Sequence, residues 1–223
     1  MISVIVPAFN EEENIVRCVG GIQREQGDIE IIVADGGSAD RTVELAARQK
    51  GVKVVQGGKG RGVQMNAGAS HATGKILLFL HADTTLEEGW SPAIAGALKD
   101  DSVAGGAFTF ALHNPGKKYR VVERCVKFRC SLFKLPYGDQ GIFIRKSVFE
   151  KLGGYENIPI MEDVDLIERM KRLGGIVILE KKAFTSERRW QKKGLLYTAV
   201  LNQLIRLLYK MGVSPHKLGR IYY

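Results

Sequence analysis

Two short acidic clusters, about eighty residues apart, are the parts of this chain best suited to chemistry. His81 and Asp83 follow the apolar run 76–80. A carboxylate at the end of a buried strand can hold Mg²⁺ or Mn²⁺, and imidazole is tolerated better by Mn²⁺. In the second cluster, Asp163 beside Glu162 could be a general base that takes a proton from a hydroxyl group. Together the clusters predict group transfer from a metal-bound diphosphate.

Each cluster also has a structural explanation that the residues alone leave open. Asp83 could cap the helix predicted just after it, and His81 could be a buried histidine with satisfied ring nitrogens. Glu162 could stabilise the positive end of the helix that it begins.

The first half of the chain alternates between strands and helices that would position these residues. Strands are predicted over 2–6, 29–34, 52–55 and 76–80, and helices over 11–24, 40–49, 61–72 and 87–98. Short apolar strands joined by helices indicate an α/β fold with a mostly parallel sheet covered on both faces. Such sheets bind ligands at the carboxyl ends of their strands.

The second half is less regular. Strands are predicted over 103–112, 142–145 and 176–179, and helices over 117–133, 147–151, 162–171 and 195–211. Gly105 and Gly106 would allow a ligand or another backbone to come close, and Asp139 and Gln140 lie in a loop before a strand. Because no linker or repeat is visible, we expect one domain over 1–190, with a nucleotide-binding half (1–100) and an acceptor half (101–190). Residues 191–223 would be a basic, amphipathic helical appendage.

Three further segments could bind a ligand. Asp35 ends a predicted strand and could accept hydrogen bonds from a ribose or a base. Arg61 follows a glycine-rich loop at the start of a helix. The helix start could bind an anion or a nucleotide, or the segment could simply be a flexible loop. Arg189 could hold a phosphate while Trp190 stacks on a ring, or both could belong to a solvated basic run.

Composition narrows the class of protein. The 223 residues are 45% hydrophobic and 26% charged, as in an ordinary globular protein. The three cysteines form no CxxC pair and suit a reducing cytosol without a disulfide framework or a zinc site. The first residues do not resemble a signal peptide, and no apolar run is long enough for a transmembrane helix. These features predict a cytoplasmic protein.

The net charge of +9 is unevenly distributed. Residues 1–180 contain 23 basic and 23 acidic residues, whereas residues 181–223 contain ten basic residues and one acidic residue. An amphipathic helix over 195–211 lies in this basic end. It could pack on its own domain, on a second subunit in a homodimer, or on an anionic membrane surface, which fits it better than nucleic acid does.

The ordered set of these motifs resembles family 2 glycosyltransferases of the GT-A fold over about residues 1–190. The motifs are 5–11 (IVPAFNE), 35–40 (DGGSAD), 60–66 (GRGVQMN), 81–83 (HAD) and 162–163 (ED). The residues at 60–66 and 80–84 most resemble those of a bacterial subgroup named for its genomic association with radical-SAM proteins.

The resemblance implies an inverting enzyme that uses a divalent metal and a nucleotide-diphosphate sugar, with UDP as the expected carrier and GDP next. It assigns the nucleotide-sugar site to Pro7, Ala8, Asn10, Glu11, Asp35, Arg61, Asp83, Gly105, Gly106, Asp139, Gln140, Arg189 and Trp190. It makes Asp163 the catalytic base with Glu162 beside it, and Asp83 the metal ligand.

The chain departs from the family pattern at His81, which replaces the first of two usual aspartates and bears on metal choice. The absence of predicted transmembrane helices and the short Arg-Trp motif favour transfer of single sugars over polymer synthesis. The acceptor would be a lipid-linked or small hydroxyl compound. Two alternatives stay open: a catalytically degenerate module that binds nucleotide sugars or membrane surfaces, and a sugar-phosphate nucleotidyltransferase.

Overall fold

The computed structural model describes residues 1–114, 116–188, 191 and 194–222. The strands are β1 (Ile2–Ala8), β2 (Ile29–Asp35), β3 (Val52–Gln56), β4 (Ile76–Phe79), β5 (Thr85–Leu86), β6 (Val103–Leu112), β7 (Ile142–Arg145) and β8 (Gly175–Thr185). The helices are α1 (Ile15–Gln23), α2 (Thr42–Ala47), α3 (Arg61–Ser70), α4 (Trp90–Ala97), α5 (Lys117–Phe133), α6 (Lys146–Lys151), α7 (Glu162–Met170), α8 (Leu195–Lys210) and α9 (Pro215–Tyr222).

The eight strands form one mixed sheet in the order β3-β2-β1-β4-β7-β6-β8-β5. The four strands predicted in the first half pair in parallel, and β6 pairs in parallel with β8. The strand β7 lies antiparallel between β4 and β6 and so joins the two halves. This α/β architecture confirms the predicted fold class.

Both faces of the sheet are covered, as the continuous apolar strands require. Along β1, Ile5 belongs to the core beneath α3 and α7, whereas Val4 and Val6 belong to the core beneath α1 and α4. All three side chains are fully buried. The period-two alternation of a strand therefore supplies two cores from one apolar run.

The C-terminal helices are part of the larger core. Leu201 and Ile205 of α8 and Leu218 of α9 are buried in the same cluster as Leu77 and Phe79. Helix α9 and the short strand β5 were not predicted, and β8 extends further than its predicted bounds. The division into a domain and an appendage stays a prediction, although this packing joins α8 and α9 closely to the sheet.

None of the helices in the described part of the chain is long and apolar enough to cross a membrane.

Candidate active site

Two cavities lie at the carboxyl edge of the sheet and share a wall formed by Arg61, His81 and Asp83. One is an open cleft of about 680 Å³ beside the ends of β1 and β4, and the other is a cavity of about 190 Å³ beside α7. The cleft is also lined by Pro7, Phe9, Glu11, Gly36, Lys59, Gly60, Gln64, Ala82 and Pro159. The cavity is also lined by Tyr137, Asp139, Ile160, Met161, Asp163, Thr185, Ser186, Asn202 and Tyr222. The fold therefore brings the two acidic clusters to one space.

Asp35 ends β2, and its carboxylate shapes the loop that follows. Its Oδ2 accepts hydrogen bonds from the backbone N–H groups of Gly37 and Ser38 at 2.8 and 3.1 Å. Asn10 joins this loop to β1, because its backbone N–H donates to Ser38 Oγ and its Oδ1 accepts from the backbone N–H of Ala39, both at 2.9 Å. Asn10 and Asp35 thus hold the loops beside the cleft in a fixed arrangement.

Pro7 lines the cleft directly, whereas Ala8 supports it through the backbone. The carbonyl oxygen of Ala8 accepts a hydrogen bond from the Gln64 side chain at 3.2 Å. A Cβ at Gly36 would collide with that same Gln64 amide. Glycine at position 36 therefore leaves room for the Gln64 side chain to make the hydrogen bond that links α3 to β1.

An arginine bridges two carboxylates at the mouth of the cleft. Arg188 Nη2 lies 2.9 Å from Glu11 Oε2 and 3.5 Å from Asp83 Oδ2. Asn14 also donates to Glu11 Oε2 at 2.6 Å. The ends of β1 and β4 are therefore linked electrostatically to the segment that follows β8.

His81 and Asp83 can supply a small part of a metal site. Burial, followed by the positive charge of Arg61, lowers the pKa of His81 to about 4, so its imidazole is neutral at physiological pH and able to ligate. Within residues 1–114, 116–188, 191 and 194–222, no group of three or more His, Cys, Asp or Glu side chains is placed to hold a metal. Mg²⁺ and Mn²⁺ are often held by one or two protein groups together with substrate phosphates. The pair fits a metal that binds with a diphosphate.

Asp163 faces the smaller cavity from the first turn of α7. Its Oδ2 accepts a hydrogen bond from the backbone N–H of Gly138 at 2.7 Å, and its Oδ1 accepts from the N–H of Val164 at 2.7 Å. Met161, just before the helix, has φ of 70°, a left-handed conformation that is rare for a residue with a side chain. The surrounding structure therefore stabilises an unfavourable backbone conformation at Met161, in the turn that positions Asp163.

Glu162 lines neither cavity and pairs with Arg61. Its Oε1 lies 2.8 Å from Arg61 Nε, and the residue is only 2% exposed. Burial raises the pKa of the Glu162 carboxyl, while the Arg61 charge opposes that rise. Glu162 is thus placed to position Arg61 at the shared wall, and its catalytic role stays a prediction.

Asp139 and Gln140 are neighbours with different surroundings. Asp139 lines the smaller cavity, and its Oδ1 is shielded from solvent with no hydrogen-bond partner among the residues that the structure describes. Burial raises the pKa of Asp139 to about 6. Gln140 is buried behind the loop, where its side chain donates to the carbonyl oxygen of Phe108 at 2.9 Å and accepts from Arg129 at 3.0 Å. Gln140 shapes the cavity by fixing the loop.

Gly105 and Gly106 lie inside the sheet and line neither cavity. A Cβ at Gly105 would collide with the carbonyl oxygen of Phe143, and one at Gly106 with that of Val177. Close packing against β7 and β8 accounts for both glycines, and their role toward a ligand stays a prediction. Arg189 and Trp190 lie outside the described residues.

Several cavity residues were not predicted from the sequence. Tyr137, Asn202 and Tyr222 come from three distant segments, and the Tyr222 hydroxyl donates to Asn202 Oδ1 at 3.1 Å. The only sequence signal for Asn202 is its place on the polar side of an amphipathic helix. Tyr222 carries no local signal, because only the packing of α9 brings it to the cavity.

Solved structures define the class of fold. The structure superposes on glucosyl-3-phosphoglycerate synthase from Mycobacterium tuberculosis, solved with Mn²⁺, UDP and glucosyl-3-phosphoglycerate, with a TM-score of 0.65, 20% identity, and coverage of 96% of this chain and 80% of that one. It also superposes on the mannosyltransferase PcManGT from Pyrobaculum calidifontis, solved with GDP-Man and Mn²⁺, with a TM-score of 0.59, 18% identity, and coverage of 80% and 56%. The fold is that of GT-A glycosyltransferases.

The sequence then gives the family. The profile of "Glycosyl transferase family 2" matches residues 3–153, and the chain belongs to this family. It is 32% identical over 172 residues to the PGL/p-HBAD biosynthesis glycosyltransferase of Mycobacterium bovis, covering 70% of this chain and 63% of the relative. It is 28% identical over 197 residues to the probable glycosyltransferase YdaM of Bacillus subtilis, covering 78% and 47%. The chain thus spans about half to two thirds of the length of these relatives. The predicted family is confirmed.

Proposed function

We propose that this protein is an inverting, metal-dependent glycosyltransferase that moves a single sugar from a UDP-sugar to a hydroxyl acceptor. The observation that carries the proposal is the shared wall of the two cavities. Arg61, His81 and Asp83 stand between an open cleft beside the nucleotide-binding loops and a smaller cavity that contains Asp163. A donor in the cleft would present its diphosphate to this wall and its sugar to the smaller cavity.

The residues on the two sides of the wall suit the two halves of the reaction. Asp163 would take the proton from the acceptor hydroxyl as its oxygen forms a bond to the anomeric carbon. The bond between that carbon and the diphosphate breaks at the same time, and its electron pair leaves with the diphosphate. Attack from the face opposite the leaving group inverts the configuration. The guanidinium of Arg61, held by Glu162, would stabilise the negative charge that develops on the diphosphate.

Asp83 and His81 would hold the divalent metal together with the donor phosphates. When bound, such a metal neutralises negative charge on the leaving diphosphate. Relatives of this fold solved with Mn²⁺ and with UDP or GDP-mannose support this part of the proposal. A neutral imidazole favours Mn²⁺ over Mg²⁺ at this chain's site.

The substitution Asp163→Asn tests the proposal. Removal of the general base should lower the rate of transfer by about 10²–10⁴-fold, while binding of the donor is retained. The rate of UDP release in the presence of an acceptor measures transfer. The rise in Tm caused by the donor measures donor binding separately. Glu168→Gln is the matched control, because Glu168 lies on the same helix but pairs with Lys171 on the surface. Full activity of Asp163→Asn would remove Asp163 from the base role.

A second candidate is a sugar-nucleotide binding module that has lost catalysis. The contact of Arg188 with Asp83 favours this alternative, since a guanidinium already lies 3.5 Å from the carboxylate expected to bind the metal. Tight donor binding with no turnover across a broad panel of hydroxyl acceptors, with and without Mn²⁺, would support the binding module and overturn the transferase.

A further inference from the structure

Helix α5 carries a stripe of apolar side chains that face solvent. Val121, Phe128 and Leu132 are 55%, 67% and 60% exposed, and Cys125 between them is exposed as well. Their spacing of four, three and four residues places them on one line along the helix. A large exposed apolar patch on a folded domain is a sign of an interaction surface.

The exposed surface of α5 around this stripe is strongly basic. The segment 117–134 contains seven basic residues, all exposed except Arg129, and one acidic residue. Arg124 and Lys127 are exposed beside the stripe, and the single acid, Glu123, is already paired with Arg120 at 2.6 Å. An apolar stripe with a basic margin is the pattern of a helix that lies in the interface of an anionic membrane.

Helix α8 carries a second exposed apolar stripe. Its members recur at intervals of three and four residues and are 45–71% exposed: Tyr197, Val200, Leu204, Leu207 and Met211. The two helices meet where the Arg206 guanidinium lies 5.8 Å from the ring centre of Phe133, which is itself 49% exposed.

The inner sides of both helices support the smaller cavity. Arg129 of α5 stacks on the ring of Tyr137 at 3.5 Å, and Tyr137 lines that cavity. Asn202 of α8 lines it directly. The helices that turn apolar stripes toward solvent are therefore the ones that contact the proposed acceptor cavity from within.

We propose that the exposed stripes of α5 and α8, here called the docking surface, bind an anionic lipid bilayer. Charge decides between this partner and a second copy of the chain. A two-fold interface through α5 would place its basic segment against an identical one, which like charges oppose, whereas anionic headgroups neutralise it. The acceptor is then a membrane lipid or lipid-linked compound whose hydroxyl group enters the smaller cavity. This last step rests on the proposed function, but bilayer binding itself does not.

Co-sedimentation with vesicles tests the docking surface. Wild-type protein should sediment with vesicles that contain phosphatidylglycerol at low salt, and much less with vesicles of phosphatidylcholine alone or at high salt. The double substitution Phe128→Gln and Leu132→Gln should weaken this binding by about tenfold or more, because two inserted apolar side chains are lost. Both positions are exposed, so the variant should fold.

The matched control is the double substitution Val16→Gln and Val43→Gln, which removes exposed apolar side chains from α1 and α2. It should bind vesicles as wild type does. Failure of wild type to sediment, or equal binding by the Phe128/Leu132 variant, would overturn the docking surface. A wild-type dimer in light scattering that the same variant dissociates, without vesicle binding, would overturn it in favour of self-association. The rise in Tm caused by a donor in vesicle-free buffer reports the donor site separately, so the two proposals can fail independently.

Discussion

At the scale of single residues, Asp139 is a carboxylate whose pKa is shifted mainly by burial. Burial raises its pKa to about 6, against an ordinary value of 3.8. Between these two values the folded state keeps a proton that the unfolded state has lost. The free energy of unfolding therefore falls as pH rises through this window.

The substitution Asp139→Asn should remove this pH-dependent cost, because the amide resembles the protonated acid. We expect the variant to be more stable than wild type at pH 7, by up to about 3 kcal/mol, and to lose that advantage below pH 4. Thermal or urea unfolding from pH 4 to 8 measures the difference. A variant that is less stable than wild type at pH 7 would show that the negative charge, held by Arg129, is the favourable form.

The contacts of Arg188 with Glu11 and Asp83 lead to a second prediction about a single residue. In the substitution Arg188→Gln, Glu11 and Asp83 lose their shared counter-charge and should attract a divalent cation more strongly. Stability without metal should fall by less than about 1 kcal/mol, since the ion pair is partly exposed. Mn²⁺ alone should then raise the Tm of the variant more than that of wild type.

The control for this experiment is Arg48→Gln, which removes a surface ion pair with Glu44 on α2. Its response to Mn²⁺ should match that of wild type. If Mn²⁺ raised the Tm of Arg188→Gln only as much as that of wild type, Arg188 would not compete with a cation at Asp83.

At the scale of elements, the parallel half of the fold was predictable because each strand is a continuous apolar run. The strand β8 was predicted too short because Glu180 and the lysines after it interrupt the apolar pattern. Pairing with β6 still continues from Lys182 to Thr185. Hydrogen bonds to β6, which no local sequence pattern reveals, extend β8 to the edge of the smaller cavity.

Helix α8 offers a test of its two faces at adjacent positions. Ile205 is fully buried in the core that it shares with the sheet, whereas Leu204 beside it is 45% exposed. Ile205→Ala should lower the free energy of unfolding by about 3 kcal/mol through cavity formation. Leu204→Ala should change it by about 0.5 kcal/mol or less. Equal effects measured by urea unfolding would contradict the close packing of α8 on the domain.

At the scale of the whole molecule, the predicted elements located Asp35 and Asp83 near strand ends and Asp163 at the start of a helix, but not the residues that complete the smaller cavity. The strand β7 follows β6 in the chain yet lies between β4 and β6. The chain also returns through α8 and α9 to place Asn202 and Tyr222 in the same cavity as Asp83. Such contacts depend on tertiary packing between segments that are distant in the chain, so local patterns could not show them.

The most direct test of the proposed function is donor binding by the folded chain. UDP-, GDP-, dTDP- and CDP-sugars would each be added with and without Mn²⁺, and the Tm of wild type would be compared with that of Asp83→Asn. A UDP-sugar with Mn²⁺, at about a hundredfold its Kd, should raise the Tm of wild type by about 5–10 °C, because it binds only the folded state. The same mixture should have little effect on Asp83→Asn. No shift with any donor, or equal shifts in both proteins, would contradict a metal-dependent nucleotide-sugar site at the wall formed by Arg61, His81 and Asp83.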